Sequence, residues 1–198
     1  MALPPLLFTN PAHFTIDWTT ITHSAISLPS KECNDASSVI LGDSVTKGTV
    51  SVTMTILSLP IPNRVGSVRM GLVQSTAAVP QLGEFIGWDV KDSLSLNSST
   101  GNLSRNTPST GYSPQFEFCH SQLKEGDCVR MEVDMDSKPR TVQFFVNGKC
   151  GFSFVSGLPP SVRIGFAVSG QGTFCRIDRI ARQERPTPIT PEMREITW

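Results

Sequence analysis

The stretch Gly126–Lys149, GDCVRMEVDMDSKPRTVQFFVNGK, decides the fold class. In it Val129, Met131, Val133 and Met135 alternate with Arg130, Glu132, Asp134 and Asp136, and after the loop DSKPR the residues Val142, Phe144 and Val146 alternate again. A period of two sends successive side chains to opposite faces of an extended chain, so each run has one apolar and one polar face. DSKPR joins the runs as a hairpin loop. Asn147-Gly148 then reverses the chain a second time, because this pair tolerates positive φ at both centres of a tight turn. Residues 129 to about 155 therefore predict a three-stranded meander.

The same alternation recurs on both sides: Val50, Val52, Met54 and Ile56; Val68, Met70 and Leu72; Val162, Ile164, Phe166 and Val168. Gly, Pro, Asn and Ser cluster between these runs, and helical periodicity is almost missing, which predicts an antiparallel sandwich or barrel. The 198 residues suffice for one domain with a sizeable core. Only 17% are charged; 23 Ser and 18 Thr supply the polar surface, as suits strands and turns. Residues 97–114, rich in Ser, Thr, Asn, Gly and Pro, read as a long surface loop, the usual seat of binding on a β scaffold. ARQERPTPITPEMREITW, with its prolines and polar run, reads as an extension that packs on the domain or serves as a linker.

Seventeen basic against 17 acidic residues give no long-range attraction to phosphate, so neither nucleic acid nor an anionic membrane is expected as a partner. MALPPLLF has no basic start and no run of about 20 apolar residues occurs, so a soluble, cytoplasmic monomer is expected. Five cysteines (33, 119, 128, 150, 175) without a CxxC pair read as free, buried thiols. Cys119, His120 and Cys128 lack a fourth ligand at any usual zinc spacing, so no metal and no cofactor is expected.

GDCVRMEVDMDSKPRTVQFFVNGK followed by LPPSVRIGFAVSGQGTFCRI resembles the carboxy-terminal half of a SPRY domain, and GSVRMGLV, EFIGWDV and SSTGNL resemble its central part. The resemblance covers residues 8–181, leaving 1–7 and 182–198 as extensions. It implies an all-β, two-sheet antiparallel sandwich of the concanavalin-like jelly-roll type, without catalytic activity, that binds peptide segments of partner proteins through loops at one edge. In the SOCS-box subgroup the pocket uses an aromatic residue after Gly-Trp-Asp and a Trp-Gly in the penultimate turn. Here Gly87-Trp88-Asp89 is kept, Leu96 stands in the aromatic position, and Gln171-Gly172 stands where Trp-Gly would be.

The residues expected to touch a peptide are accordingly Gln74, Ser75, Trp88, Leu96, Arg105, Ser169, Gly170, Gln171 and Gly172, with Trp88 either a core residue or the floor of a pocket. The alternative is a carbohydrate-binding or glycoside-hydrolase-like lectin-fold domain using Glu132, Asp134 and Asp136, three carboxylates on one strand face. The bland reading of those carboxylates is a solvated strand face paired with Arg130. For nucleophilic catalysis the sequence has no GxSxG elbow, and Cys119 and His120, as neighbours on one strand, would point to opposite faces. Thr187-Pro188 and Thr190-Pro191 are candidate sites for a proline-directed kinase, or chance pairs in a Pro-rich tail.

Overall fold

Alternating apolar side chains need a second apolar face, and two sheets provide it for each other. The structure, a computed structural model, describes residues 6–8, 14–17, 20–23, 37–59, 66–80, 84–112, 115–170 and 173–198. The first sheet runs β1 (Leu6–Phe8), β4 (Ser37–Val45), β13 (Val162–Ser169), β6 (Ser67–Gln74), β7 (Ser93–Asn97), β8 (Asn102–Asn106), β9 (Gln115–Phe118). The second runs β15 (Arg194–Thr197), β12 (Lys149–Ser156), β11 (Thr141–Val146), β10 (Cys128–Asp134), β5 (Thr49–Ser58), β14 (Phe174–Gln183), β3 (Thr20–His23), β2 (Phe14–Asp17). Neighbouring strands are antiparallel except β15, which lies parallel to β12. The expected antiparallel two-sheet sandwich is thus present, and β10, β11 and β12 form the meander of the opening motif.

The core follows the alternation. Val50, Val52, Met54 and Ile56 of β5 face Val68, Met70 and Leu72 of β6 in one cluster, joined by Val129, Met131 and Val133 of β10, Phe144 of β11 and Phe166 of β13. At about 25 cal/mol per Å² of apolar surface removed from water, this cluster is the main favourable term. One segment differs from its sequence reading, and another takes the first of its two readings. The 97–114 stretch is not a long loop: Leu103 pairs with Leu96 across β7 and β8 and is fully buried, so burial of a single leucine organises a strand in a polar stretch. The 182–198 stretch crosses the outer face of the second sheet and ends in β15, placing Ile196 and Trp198 in the main core.

The outer face of the first sheet carries a second, smaller core of Ile40, Val73, Ile86 and Val90. Ile86 comes from the segment before β7 and needs a flat place on the sheet. Gly165 of β13 makes one, and Gly71, directly opposite it on β6, lets the backbone of β7 approach closely. A Cβ on Gly165 would lie 2.4 Å from Ile86 Cδ1, and one on Gly71 would lie 1.9 Å from the Leu94 carbonyl oxygen.

Cys119 and His120 follow β9 and close one edge of the sandwich. Both side chains pack over Gly151 of β12, where a Cβ would fall 2.5 Å from Cys119 Sγ and 2.9 Å from His120 Nε2. His120 Nε2 donates to the Phe144 carbonyl at 3.2 Å. Burial lowers the His120 pKa from its ordinary value of 6.5, opposed in part by that hydrogen bond.

Two outcomes are expected. Gly71→Ala should lower the urea unfolding free energy by about 2 kcal/mol or more, because the strand backbone beside it cannot give way. For His120 the unfolded chain takes up a proton below about pH 6.5 while the folded chain resists it. The folded state therefore binds fewer protons in that window and loses stability as pH falls from 6.5 towards the lowered folded value. Urea titrations at pH 7.5 and 5.5 should show this fall, and His120→Gln should flatten it; an equal fall in the variant would remove His120 as its source.

Candidate binding site

The Gly-Trp-Asp motif is positioned by the serines of β7. Leu94 and Leu96 face the core, so Ser93 and Ser95 face outward beneath the 84–92 segment. The Gly87 N–H donates to Ser93 Oγ at 2.7 Å, Ser93 Oγ donates to the Val90 carbonyl at 2.5 Å, and Ser95 Oγ donates to the Ile86 carbonyl at 2.6 Å. Asn106 Nδ2 of β8 adds a bond to the Trp88 carbonyl at 2.6 Å, and the Phe85 N–H is capped by Asp89 Oδ2 at 2.8 Å. Gly87 has φ of +79°, and a Cβ there would stand 2.4 Å from the Ser104 carbonyl oxygen. Only glycine allows both the left-handed turn and this approach. With Ile86 driven inward and Gly87 pressed on the sheet, Trp88 is left at the surface, 44% exposed.

Trp88 meets a line of other exposed rings. Its centroid lies 5.0 Å from that of Phe116 on β9, the edge strand of the first sheet. Phe116 and Phe118 share the face of β9 that looks away from the core, and Phe118 stacks on Phe152 of β12 at 5.2 Å, in the other sheet. Phe116, Phe118 and Phe152 are 45%, 55% and 63% exposed. Arg69 of β6 lies under the near end of this ridge, its guanidinium 4.4 Å from the Phe85 ring centroid and 6.0 Å from that of Trp88. Burial lowers the Arg69 pKa to about 10, with Asp89 acting the other way. The guanidinium remains charged at neutral pH and contributes cation–π attraction beneath the rings.

The residues singled out from sequence do not meet at one place. Gln74 stands opposite Val162 at one end of the β6/β13 pair, and Ser169 stands opposite Ser67 at the other. Seven residue steps separate these ends, about 24 Å at strand rise. Gln74 bonds Thr76, and the Ser75 N–H donates to the Ser161 carbonyl. Ser169 Oγ is buried against Ser67 Oγ at 3.0 Å, and Gly170 turns the chain with φ of +86°. Gln171 and Gly172 lie outside the described residues. Leu96 faces the core and is 2% exposed, so strand alternation leaves it no surface to offer a ligand.

Arg105 also has a structural position. Its Nη1 donates to the Thr197 carbonyl and to Ser109 Oγ, and its Nη2 pairs with Glu117 at 3.6 Å, which closes the gap between β8, β9 and β15. Trp88 alone of the nine is part of the aromatic ridge. Phe116 and Phe118 were missed, although the run Phe-Glu-Phe alternates; it follows a polar stretch whose strand content is hidden.

Of the three carboxylates, Asp136 lies beyond the end of β10 and is exposed, as expected, whereas Glu132 and Asp134 are not solvated. Glu132 is buried, accepting from Arg130 Nη1 at 2.7 Å and from the Thr187 hydroxyl at 2.9 Å, and Asp134 is buried and accepts the N–H groups of Asp136 and Ser137. The cause is the 182–198 segment, which covers the strand. The expected pairing with Arg130 is present, whereas an open cleft between two free carboxylates is not. Among the described residues no group of three or more His, Cys, Asp and Glu side chains gathers in metal-binding geometry. Burial pushes the Cys119 thiol up to about 12, so it carries little thiolate at neutral pH.

No family model and no curated protein matches the sequence. Solved structures match the fold. A human SPRY domain is 17% identical with a TM-score of 0.63, over 83% of this chain and 94% of that one. The SPRY domain of human HERC1 is 15% identical with a TM-score of 0.60, over 90% and 99%. Peanut lectin, solved with a nine-residue peptide, is 13% identical with a TM-score of 0.55, over 88% of each chain. Taken with the sheet order and the placement of the Gly-Trp-Asp segment, these matches show that the chain has the SPRY fold, a lectin-like β-sandwich.

Proposed function

We propose that this chain is a non-catalytic protein-interaction module whose ridge of Trp88, Phe116, Phe118 and Phe152 binds a short extended peptide of a partner protein. One observation carries the reading: four large rings, each 44% to 63% exposed, stand as two contacting pairs, Trp88–Phe116 and Phe118–Phe152, brought side by side by the edge strand β9. Isolated exposed apolar residues are ordinary, but contiguous aromatic surface marks sites of association. An edge strand offers backbone hydrogen bonds to an extended peptide, and aromatic rings beside it accept apolar side chains at alternate positions. Likeness to SPRY domains supports a protein partner, and four free thiols with no disulfide among the described residues suit a reducing compartment.

The neutral chain gives this surface little long-range steering, so shape and hydrogen bonding dominate and affinity depends weakly on salt. The engaged state of Glu132 and Asp134 gives no support to glycoside hydrolysis.

The test is selection from a random-peptide library, followed by titration of the synthesised peptides against the wild type and a Phe116→Ser/Phe118→Ser variant. Affinity should fall about 30-fold or more, the scale of a central hot spot. Unfolding free energy should change by no more than about 0.5 kcal/mol, since both side chains are already at the surface. Peptides that bind the variant as tightly as the wild type would move the site elsewhere. A glycan-array signal competed by free sugar, with no peptide selected, would replace this reading with carbohydrate binding.

A further inference from the structure

The segment from Glu184 to Met193 is mostly exposed, yet Thr187 hydrogen-bonds the second sheet and Met193 Sδ lies 3.6 Å from Cys150 Sγ of β12. The Thr187 N–H donates to Glu132 Oε1, its hydroxyl donates to Glu132 Oε2 at 2.9 Å, and its carbonyl accepts from Gln143 Nε2 at 2.8 Å. Glu132 and Gln143 are each 2% exposed, so the strap supplies the partners of two polar side chains that it buries. Beside Thr187 is a trough of about 400 Å³ lined by Asp134, Lys138, Phe154, Pro188 and Glu195 among others. Beyond it the chain enters β15, whose Arg194 pairs with Glu117 at 3.0 Å and whose Thr197 carbonyl receives Arg105.

Pro188 follows Thr187 directly, and we propose that Thr187 is a phosphorylation site whose modification undocks the 184–198 strap from the second sheet. The reaction takes ATP and a proline-directed Ser/Thr kinase. Thr187 Oγ1 attacks the γ-phosphorus and forms the O–P bond; the bond from that phosphorus to the β,γ-bridging oxygen breaks and ADP leaves. The hydroxyl proton passes to the kinase's general base. Local opening of residues 184–193, which are mostly exposed, presents Thr187 to the enzyme while Ile196 and Trp198 stay in the core.

The product cannot return to its place. A hydroxyl that donated to Glu132 becomes a group of charge about −1.5 to −2 with acceptor oxygens only, against a buried carboxylate. Arg130 is already committed to Glu132 at 2.7 Å, and Asp134 and Glu195 line the adjoining trough against Lys138 alone. Thr190-Pro191 differs, because Thr190 is exposed and its side chain bonds only within the strap, to Glu192. Undocking uncovers the Ser153–Ser156 edge of β12 and releases Glu117 of β9 from Arg194. The strap therefore couples the second sheet to the strand that carries Phe116 and Phe118.

The full chain is incubated with ATP and a proline-directed kinase, the phosphate is mapped by mass spectrometry, and amide hydrogen exchange is followed over 186–198. Phosphate should appear on Thr187, and exchange there should rise about tenfold or more, as befits loss of a charge-assisted hydrogen bond. Thr187→Glu should produce the same rise, Glu132→Gln in that background should reverse most of it, and Thr190→Glu should leave exchange unchanged. The proposal is overturned by a folded chain that takes no phosphate on Thr187, or by phosphate there with unchanged exchange. Failure of Glu132→Gln to rescue Thr187→Glu would also overturn it, because the repulsion would then not be the cause.

Discussion

The close approach that Gly71 and Gly165 permit on the outer face of the first sheet is the constraint on which the rest of this surface depends. A side chain at Gly165 would strike Ile86 and leave it no place to bury, and one at Gly71 would strike the β7 backbone at Leu94 and Ser95, beside the serines that hold the 84–92 segment. With Ile86 down, the serines of β7 reach the backbone of the segment, and Trp88 is left on the outside beside Phe116. A packing requirement of the backbone thus produces an exposed aromatic residue. Arg69 fits the same logic: it lies under the rings, where burial weakens its proton affinity but leaves its charge at neutral pH.

Two peripheral structures depend on each other across the sandwich. The first is the β9 edge strand with its phenylalanines; the second is the 182–198 strap with its short parallel strand. Glu117 joins them through Arg194, and Arg105 joins β8 to the carbonyl of Thr197. Surface ion pairs of this kind contribute little to stability singly, about 0 to 1 kcal/mol. The place of the Glu117–Arg194 pair matters more, since Glu117 stands on β9 between Phe116 and Phe118.

The sandwich was legible in the sequence wherever strands alternate cleanly, and the Gly126–Lys149 motif led directly to the β10–β12 meander. What was not legible has physical causes. Asn102–Asn106 and Gln115–Phe118 lie in polar surroundings, and their strand conformation comes from pairing with β7 and with each other rather than from local propensity. Glu132 looked solvated because the segment that buries it lies about fifty residues later in the chain. Of the residues named from the sequence, Trp88 is at the surface, whereas Leu96 is buried because β7 begins at Ser93 and puts every second residue inward. Loops at opposite ends of one strand pair look equivalent in a sequence and are far apart in a sheet.

The central claim is that the ridge, and not the loops at the ends of β6 and β13, is the surface that a peptide covers. Amide hydrogen exchange of the chain with and without a saturating selected peptide tests it most directly. The account predicts slowed exchange over 84–92 and 115–118 with no change at 74–78 and 169–170. Protection confined to 74–78 or 169–170, with 115–118 unchanged, would contradict it.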